Sequence, residues 1–119
     1  FLITIYIIMS TKKLYLPYKT RTSTNKQLEF NFRLDQNTTS AVVINQIISL
    51  LLSKISSEIE LFKPSNGDII QAICMVLVIR SKMIDYDFDT LEKIVTKTLK
   101  QAFNDAKKAI VTEPISGKS

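Results

Sequence analysis

Apolar and polar residues alternate without interruption in "QLEFNFRL", residues 27 to 34. Leu28, Phe30, Phe32 and Leu34 occupy the apolar positions, and every residue between them is polar. Strict alternation over such a length is typical of a β-strand with one face buried and the other exposed. The pattern therefore predicts one two-faced strand in the N-terminal third of the chain.

Longer segments carry apolar residues at spacings of three and four, the period of an amphipathic helix. The first of them, residues 41 to 62, follows the turn and cap residues "LDQNTTS". Pro64 ends this helix, and Ser65 with Asp68 then resembles a capping box that opens a second helix through "IIQAICMVLVIRSKM". Residues 72 to 79 are apolar on every side, which favours a central helix covered on several sides. A buried strand is the alternative.

A third helix is predicted after "DYDFD", with Asp89 as its cap and Glu92 reaching back to the cap. Its apolar face extends from Leu91 to Ile110, and Pro114 lies beyond its end. The aspartates before it resemble the start of a calcium-binding loop, but that pattern then fails, so cap and turn chemistry explains them better. The sequence therefore predicts no metal site.

The strand needs a partner, because a single strand cannot satisfy its own backbone groups. No second convincing strand is visible, so the simplest partner is the same strand of a second copy, paired antiparallel across a two-fold axis. The predicted fold is mainly α, with one N-terminal strand and three helices in residues 27 to 112 of a homodimer. Residues 1 to 26 form an apolar leader and a basic flexible arm, and residues 113 to 119 a disordered tail.

Composition narrows the classes of function. The 119 residues are 45% hydrophobic and 23% charged, as in an ordinary soluble domain. Without histidine the chain has no imidazole base, and Cys74, the one cysteine, lies in an apolar run where core packing is favoured over nucleophilic chemistry. No pair of carboxylates suggests acid and base roles. We therefore expect no enzyme, no cofactor, no small-molecule substrate and a reducing, intracellular compartment, cytoplasmic or nucleoid-associated.

The apolar start, "FLITIYIIM", is shorter than the roughly 20 residues that span a membrane. We expect the natural start at Met9, with the preceding residues an extension of the reading frame. The alternative is the end of a truncated membrane anchor. Membrane association is therefore expected only if residues 1 to 9 are native.

The net charge of +5 is that of the arm, because basic and acidic residues cancel in the rest of the chain. The five basic residues of the arm are Lys12, Lys13, Lys19, Arg21 and Lys26. On the third helix a basic stripe lies opposite the apolar face and comprises Lys93, Lys97, Lys100, Asn104, Lys107 and Lys108. Both groups suit phosphates or an acidic partner, although a charged helix face is most often simply solvated. Tyr15 and Tyr18 can add stacking on single strands.

A two-stranded ribbon fits the major groove, where Asn and Gln bridge adenine edges and Arg bridges guanine. "EFNFRL" followed by a helix, a break and "SNGDIIQAI" resembles the ribbon-helix-helix repressors of the Arc type over residues 26 to 80. The resemblance implies that outward strand side chains contact bases and that a phosphate sits on the amides opening the second helix. The strand residues that it implies are Glu29, Asn31 and Arg33, and the helix-start residues are Ser65, Asn66 and Gly67. Gln27 projects from the same side of the strand and is a further candidate for base contacts.

These patterns predict a small dimeric nucleic-acid-binding protein, regulatory or architectural, with DNA a more fitting partner than RNA. The first helix is longer than in the resembled family, and the third helix is additional. The alternative is a helical adaptor or assembly factor that binds an acidic protein or an anionic membrane surface. A further alternative is that the outer face of the strand is simply solvated and contacts no partner, because alternation reports the burial of only one face.

Overall fold

The structure is a computed structural model, and it describes residues 14–114. Six elements follow one another along this part of the chain, two strands, three helices and a short last strand. They are β1 (Leu14–Arg21), β2 (Gln27–Leu34), α1 (Ala41–Phe62), α2 (Asn66–Lys82), α3 (Phe88–Ala106) and β3 (Ile110–Thr112). The mainly helical class and the strand at residues 27 to 34 are confirmed. The apolar start, Lys12 and Lys13 and the last five residues of the predicted tail lie outside the described residues.

The three strands form one antiparallel sheet in the order β1-β2-β3. β2 is the central strand, paired along its whole length with β1 and over Gln27–Glu29 with β3. The prediction that β2 lacks a partner within the chain is therefore wrong. The reason for pairing β2 with the β2 of a second copy is also wrong, because the chain itself supplies a strand on each side of β2. Much of the predicted flexible arm is β1.

A tight turn joins β1 to β2. The Asn25 backbone N–H donates to the Thr22 carbonyl at 2.9 Å, and the Thr22 hydroxyl oxygen accepts from the Lys26 N–H at 3.1 Å. Asn25 has a φ of 65°, a left-handed conformation that asparagine tolerates better than most residues. The sequence "TSTN" thus supplies the chemistry that makes the hairpin.

The register between β1 and β2 sorts their side chains onto two faces, because directly opposed residues point the same way. Leu16 opposes Phe32 and Tyr18 opposes Phe30 on the apolar face. The rings of Phe30 and Phe32 stack there with their centroids 5.2 Å apart. Leu16 is 5% exposed and is the only buried apolar residue among those described. The small core of the described chain therefore sits against this face of the sheet.

Pro17 lies in the middle of β1, and its place in the register explains why a strand tolerates it. The Arg33 backbone N–H donates to Asp105, so it points away from β1. Backbone groups alternate along a strand, so Asn31 points the same way and its partner Pro17 directs its nitrogen to the free edge of β1. A proline at that edge costs no ladder hydrogen bond and blocks the addition of another strand there.

α1 and α2 have the bounds that the sequence predicts. α1 ends before Lys63, whose φ of 48° and position before Pro64 stop the helix. Ser65 caps α2, its hydroxyl oxygen accepting from the Asp68 N–H at 3.1 Å. Residues 72 to 79 are helical, so the alternative of a buried strand is wrong.

α3 differs from its prediction at both ends. Its cap is Asp87, whose carboxylate accepts from the N–H and the hydroxyl of Thr90 at 2.9 and 2.7 Å, and not Asp89. The two hydrogen bonds from Thr90, the side-chain one first, lower the pKa of Asp87 against a small effect of desolvation. The helix ends at Ala106, and Ile110 belongs to β3 because pairing with β2 replaces the last predicted turn.

The described chain divides into two units, each taken by itself. One holds the sheet with residues 14–45 and 100–114, and the other is Gln46–Leu99, which contains α2 and most of α1 and α3. The apolar helix faces predicted to form a core are not buried in the described chain. α1 contains no buried residue, and the only buried residues of α2 and α3 are the polar Ser81 and Asp105.

Candidate nucleic-acid interface

The polar face of the sheet carries the strand residues that the sequence nominates for base contacts. Gln27, Glu29, Asn31 and Arg33 oppose Arg21, Lys19, Pro17 and Tyr15 of β1, so all eight lie on one face. This face is opposite the one that Leu16 buries. The sheet therefore gathers Lys19 and Arg21 from the predicted arm with the four residues of β2.

Most of the positive charge on this face has a carboxylate partner. Lys19 Nζ lies 4.0 Å from Glu29 Oε1, and Gln27 Nε2 donates to the other Glu29 oxygen at 3.2 Å. Lys26, in the turn, pairs with Glu113 at 3.6 Å. The acids come from β2 and from the segment after β3, so two of the arm's five basic residues are paired with carboxylates in the described chain. The face is less attractive to phosphates than the arm's sequence alone suggests.

Arg33 makes the closest ion pair of the described chain. Its Nε donates to Asp105 Oδ1 at 2.8 Å, and its backbone N–H donates to Asp105 Oδ2 at 2.9 Å. Asp105 is 5% exposed, and this burial by itself raises the pKa of its carboxyl. The two Arg33 hydrogen bonds and the charges of Arg33 and Lys108 outweigh that effect and hold the pKa of Asp105 below its usual value. The pair fixes the end of α3 to β2.

An open cleft of about 680 Å³ lies beside this pair, where β3 ends and leaves part of the β2 edge uncovered. Its lining residues include Tyr15, Asn31, Arg33, Asp105 and Lys108. A guanidinium carries five N–H donors, and the Asp105 side chain occupies one of the Arg33 donors. The cleft can therefore present hydrogen-bond donors to an anion or a base edge, but it offers no nucleophile with an adjacent base.

The described residues include no group of three or more histidine, cysteine, aspartate or glutamate side chains that could hold a metal ion. Cys74 is exposed in the structure, although its sequence context favours burial. The exposure follows from the position of Cys74 on α2, whose apolar residues are largely uncovered.

The lysine stripe of α3 differs from the sheet in having free charge. Lys93, Lys97 and Lys100 follow one another at spacings of four and three, which places them on one side of the helix. These three lysines are exposed, as is Lys107, and none of the four lies within ion-pair distance of a carboxylate of the described chain. The prediction that Lys107 and Lys108 lie on the helix is wrong, because α3 ends at Ala106 and both residues follow it in a turn. The lysines of α3 therefore have no ion-pair partner in the described chain, whereas Lys19 and Arg33 of the sheet are paired with carboxylates.

At the start of α2 the Ser65 hydroxyl already accepts from the Asp68 N–H. Ser65, Asn66 and Gly67 are all exposed there. The cap occupies the Asp68 amide, which follows directly after the three residues that the resemblance assigns to a phosphate, and the Asp68 carboxylate lies in the same turn. These residues belong to Gln46–Leu99 and the polar sheet face to the other unit, so the candidate positions do not form one described site.

Asp105 is the site residue that sequence analysis misses. It lies 72 positions from Arg33 in the sequence, and helical periodicity marks it only as a polar residue near the end of α3. The one local signal for this role is that Asp105 is an acidic residue between Lys100 and Lys107 in the sequence. The opposition of Lys19 to Glu29 is equally invisible until β1 is recognised as a strand.

Comparison of the chain with known protein families, with curated proteins and with solved structures finds no match.

Proposed function

We propose that this protein binds nucleic acid through the lysine stripe of α3, with the polar face of the sheet as a second surface. The observation that carries the proposal is the contrast between the two groups of positive charge. The α3 lysines are exposed and without carboxylate partners in the described chain, and counterion release by such lysines is the main source of affinity for nucleic acid.

The sheet contributes groups that suit base edges. Asn31 is exposed, Arg33 retains guanidinium donors beyond the one that Asp105 takes, and both line the cleft. Asn can bridge adenine and Arg can bridge guanine, so DNA remains a more fitting partner than RNA. In this proposal the α3 lysines supply the affinity for nucleic acid, and Asn31 and Arg33 at the cleft supply the preference for particular bases.

The test compares two double variants of equal charge. Replacing Lys97 and Lys100 with glutamine removes two charges from the stripe, and replacing Lys54 and Lys63 with glutamine removes two from α1 and the residue after it. Binding to duplex DNA, single-stranded DNA and RNA is then measured over a salt titration. The stripe variant should reduce the slope of log K against log salt by about 1.4 to 1.8, since each of the two lost phosphate contacts contributes about 0.7 to 0.9.

The control variant should leave that slope unchanged, because Lys54 already pairs with Glu58 at 3.2 Å and neither control lysine is on α3. Equal slopes for both variants would contradict the assignment to α3. Absence of binding by the intact chain to all three nucleic acids at about 50 mM salt, where electrostatic attraction is strong, would refute the proposed function.

A second candidate, a helical adaptor at a membrane surface, is favoured by α1. By length and composition this helix could cross a membrane, although core helices and signal sequences pass the same test. No residue of α1 is buried in the part of the chain that the structure describes. Flotation with vesicles containing an anionic lipid, by a chain that fails to bind any nucleic acid, would support this candidate. Failure to float with such vesicles would refute it.

A further inference from the structure

α2 exposes an apolar face where a helix on the surface of a globular protein is usually charged. The eleven residues between Asp68 and Arg80 include no charged side chain. The row Ile69, Ile73, Leu77 and Ser81 is the less exposed side of the helix: Ile69 is half-buried, Ile73 and Leu77 are 46% and 38% exposed, and Ser81 at its end is 7% exposed. The opposite side is the open one, where Met75 is 58% and Ile79 is 59% exposed.

The open side has the spacing of a helix–helix seam. Asp68, Ala72, Met75, Ile79 and Lys82 follow at intervals of four, three, four and three, which keeps them in line along α2. Val76, Val78 and Met83 flank this seam and are also exposed. Soluble monomers seldom leave such a continuous apolar surface uncovered.

We propose that a second copy of the chain covers this seam, with the two α2 helices packed antiparallel about a two-fold axis at Met75. Met75 is the midpoint between Asp68 and Lys82, seven residues from each. In an antiparallel pair centred there, Asp68 of each copy lies opposite Lys82 of the other, and the two charge pairs bracket an apolar seam about 20 Å long. The self-complementary charges are what identify the occupant.

The charges at the two ends are available for this pairing. Asp68 is exposed and has no ion-pair partner in the described chain, and Lys82 is exposed with its Nζ 4.7 Å from the centroid of the Phe88 ring. Parallel packing would place like charges together at each end and is disfavoured.

The first experiment measures molar mass in solution without nucleic acid, so its outcome does not depend on the proposed function. The intact chain should have twice the monomer mass of 13.6 kDa. Asp68→Lys and Lys82→Asp should each raise the dimer dissociation constant roughly tenfold or more, and the double reversal should restore it to within about threefold. Arg80→Asp is the matched control, because it changes the same charge in the same last turn but lies off the seam.

The second experiment uses a thiol at the axis and does not depend on charge reversals that also act on the helix dipole. In a Cys74→Ser background, Met75→Cys should form a cross-linked dimer under mild oxidation. The wild-type chain, with its single thiol one position earlier and about 100° around the helix, should cross-link far less. A monomeric wild type, a dimer insensitive to both single reversals, or equal cross-linking through Cys74 would each overturn the proposal.

Discussion

Asp105 illustrates how a buried carboxylate is kept charged by the groups around it. Its two oxygens accept hydrogen bonds from the backbone N–H and the Nε of one residue, Arg33. The Asp105 side chain therefore satisfies one backbone donor of β2 and one guanidinium donor. The hydrogen bonds exist in the folded chain alone and favour the ionised form. A pKa lowered on folding means that this carboxylate stabilises the folded state above its unfolded pKa.

Replacing Asp105 with asparagine should therefore destabilise the folded chain by about 2 kcal/mol at neutral pH. The value lies below the usual range for a broken buried ion pair because Arg33 is partly exposed and can be rehydrated. The difference from wild type should be full above the usual pKa of 3.8 and should close as the pH falls through the lower folded pKa. Urea denaturation at a series of pH values measures it.

Asp35→Asn serves as the control, because the Asp35 carboxylate is exposed and has no side-chain partner in the described chain. It should behave like wild type across the series. A gap between wild type and Asp105→Asn that persists unchanged into acid would mean that the ionised carboxylate is not what stabilises the contact.

Among the elements, those with local signals are predictable and those defined by distant partners are not. α1 and α2 follow from apolar spacing, from Pro64 and from the Ser65 cap, all of which act within a few residues. β1 alternates less clearly than β2, because Tyr15 and Pro17 occupy positions on its polar face, and only the register reveals that the Pro17 nitrogen points away from β2. β3 has three residues and exists through its pairing with Gln27–Glu29, which no local pattern announces.

Two neighbouring aspartates, Asp87 and Asp89, are candidates for the cap of α3, and their alanine variants distinguish them. Asp87→Ala removes the acceptor of both Thr90 hydrogen bonds and should lower the thermal midpoint. Asp89→Ala removes a carboxylate that only complements the helix dipole, and its effect should be smaller. Thermal unfolding followed by circular dichroism compares the two. A larger loss for Asp89→Ala would favour the cap that the sequence predicts.

At the scale of the whole molecule, the predicted apolar faces of the helices are present but are not buried within the described chain. Helical periodicity shows which residues avoid water and does not show whether their cover is the same chain or another one. The sequence places the missing partner at β2, whereas the sheet is completed within the chain and the uncovered surface lies on the helices. The proposed self-association through α2 would account for this difference, because a second copy supplies a cover that the described part of one chain does not.

That association makes stability depend on concentration. If two copies fold and associate together, unfolding releases two chains and the thermal midpoint rises with protein concentration. For two chains of 119 residues, a hundredfold increase should raise the midpoint by about 6 °C, given an unfolding enthalpy near 0.7 kcal/mol per residue. Calorimetry across that range measures the shift, and Asp68→Lys should reduce it. A midpoint that stays constant for the wild-type chain would contradict coupled folding and association, since a monomer unfolds independently of concentration.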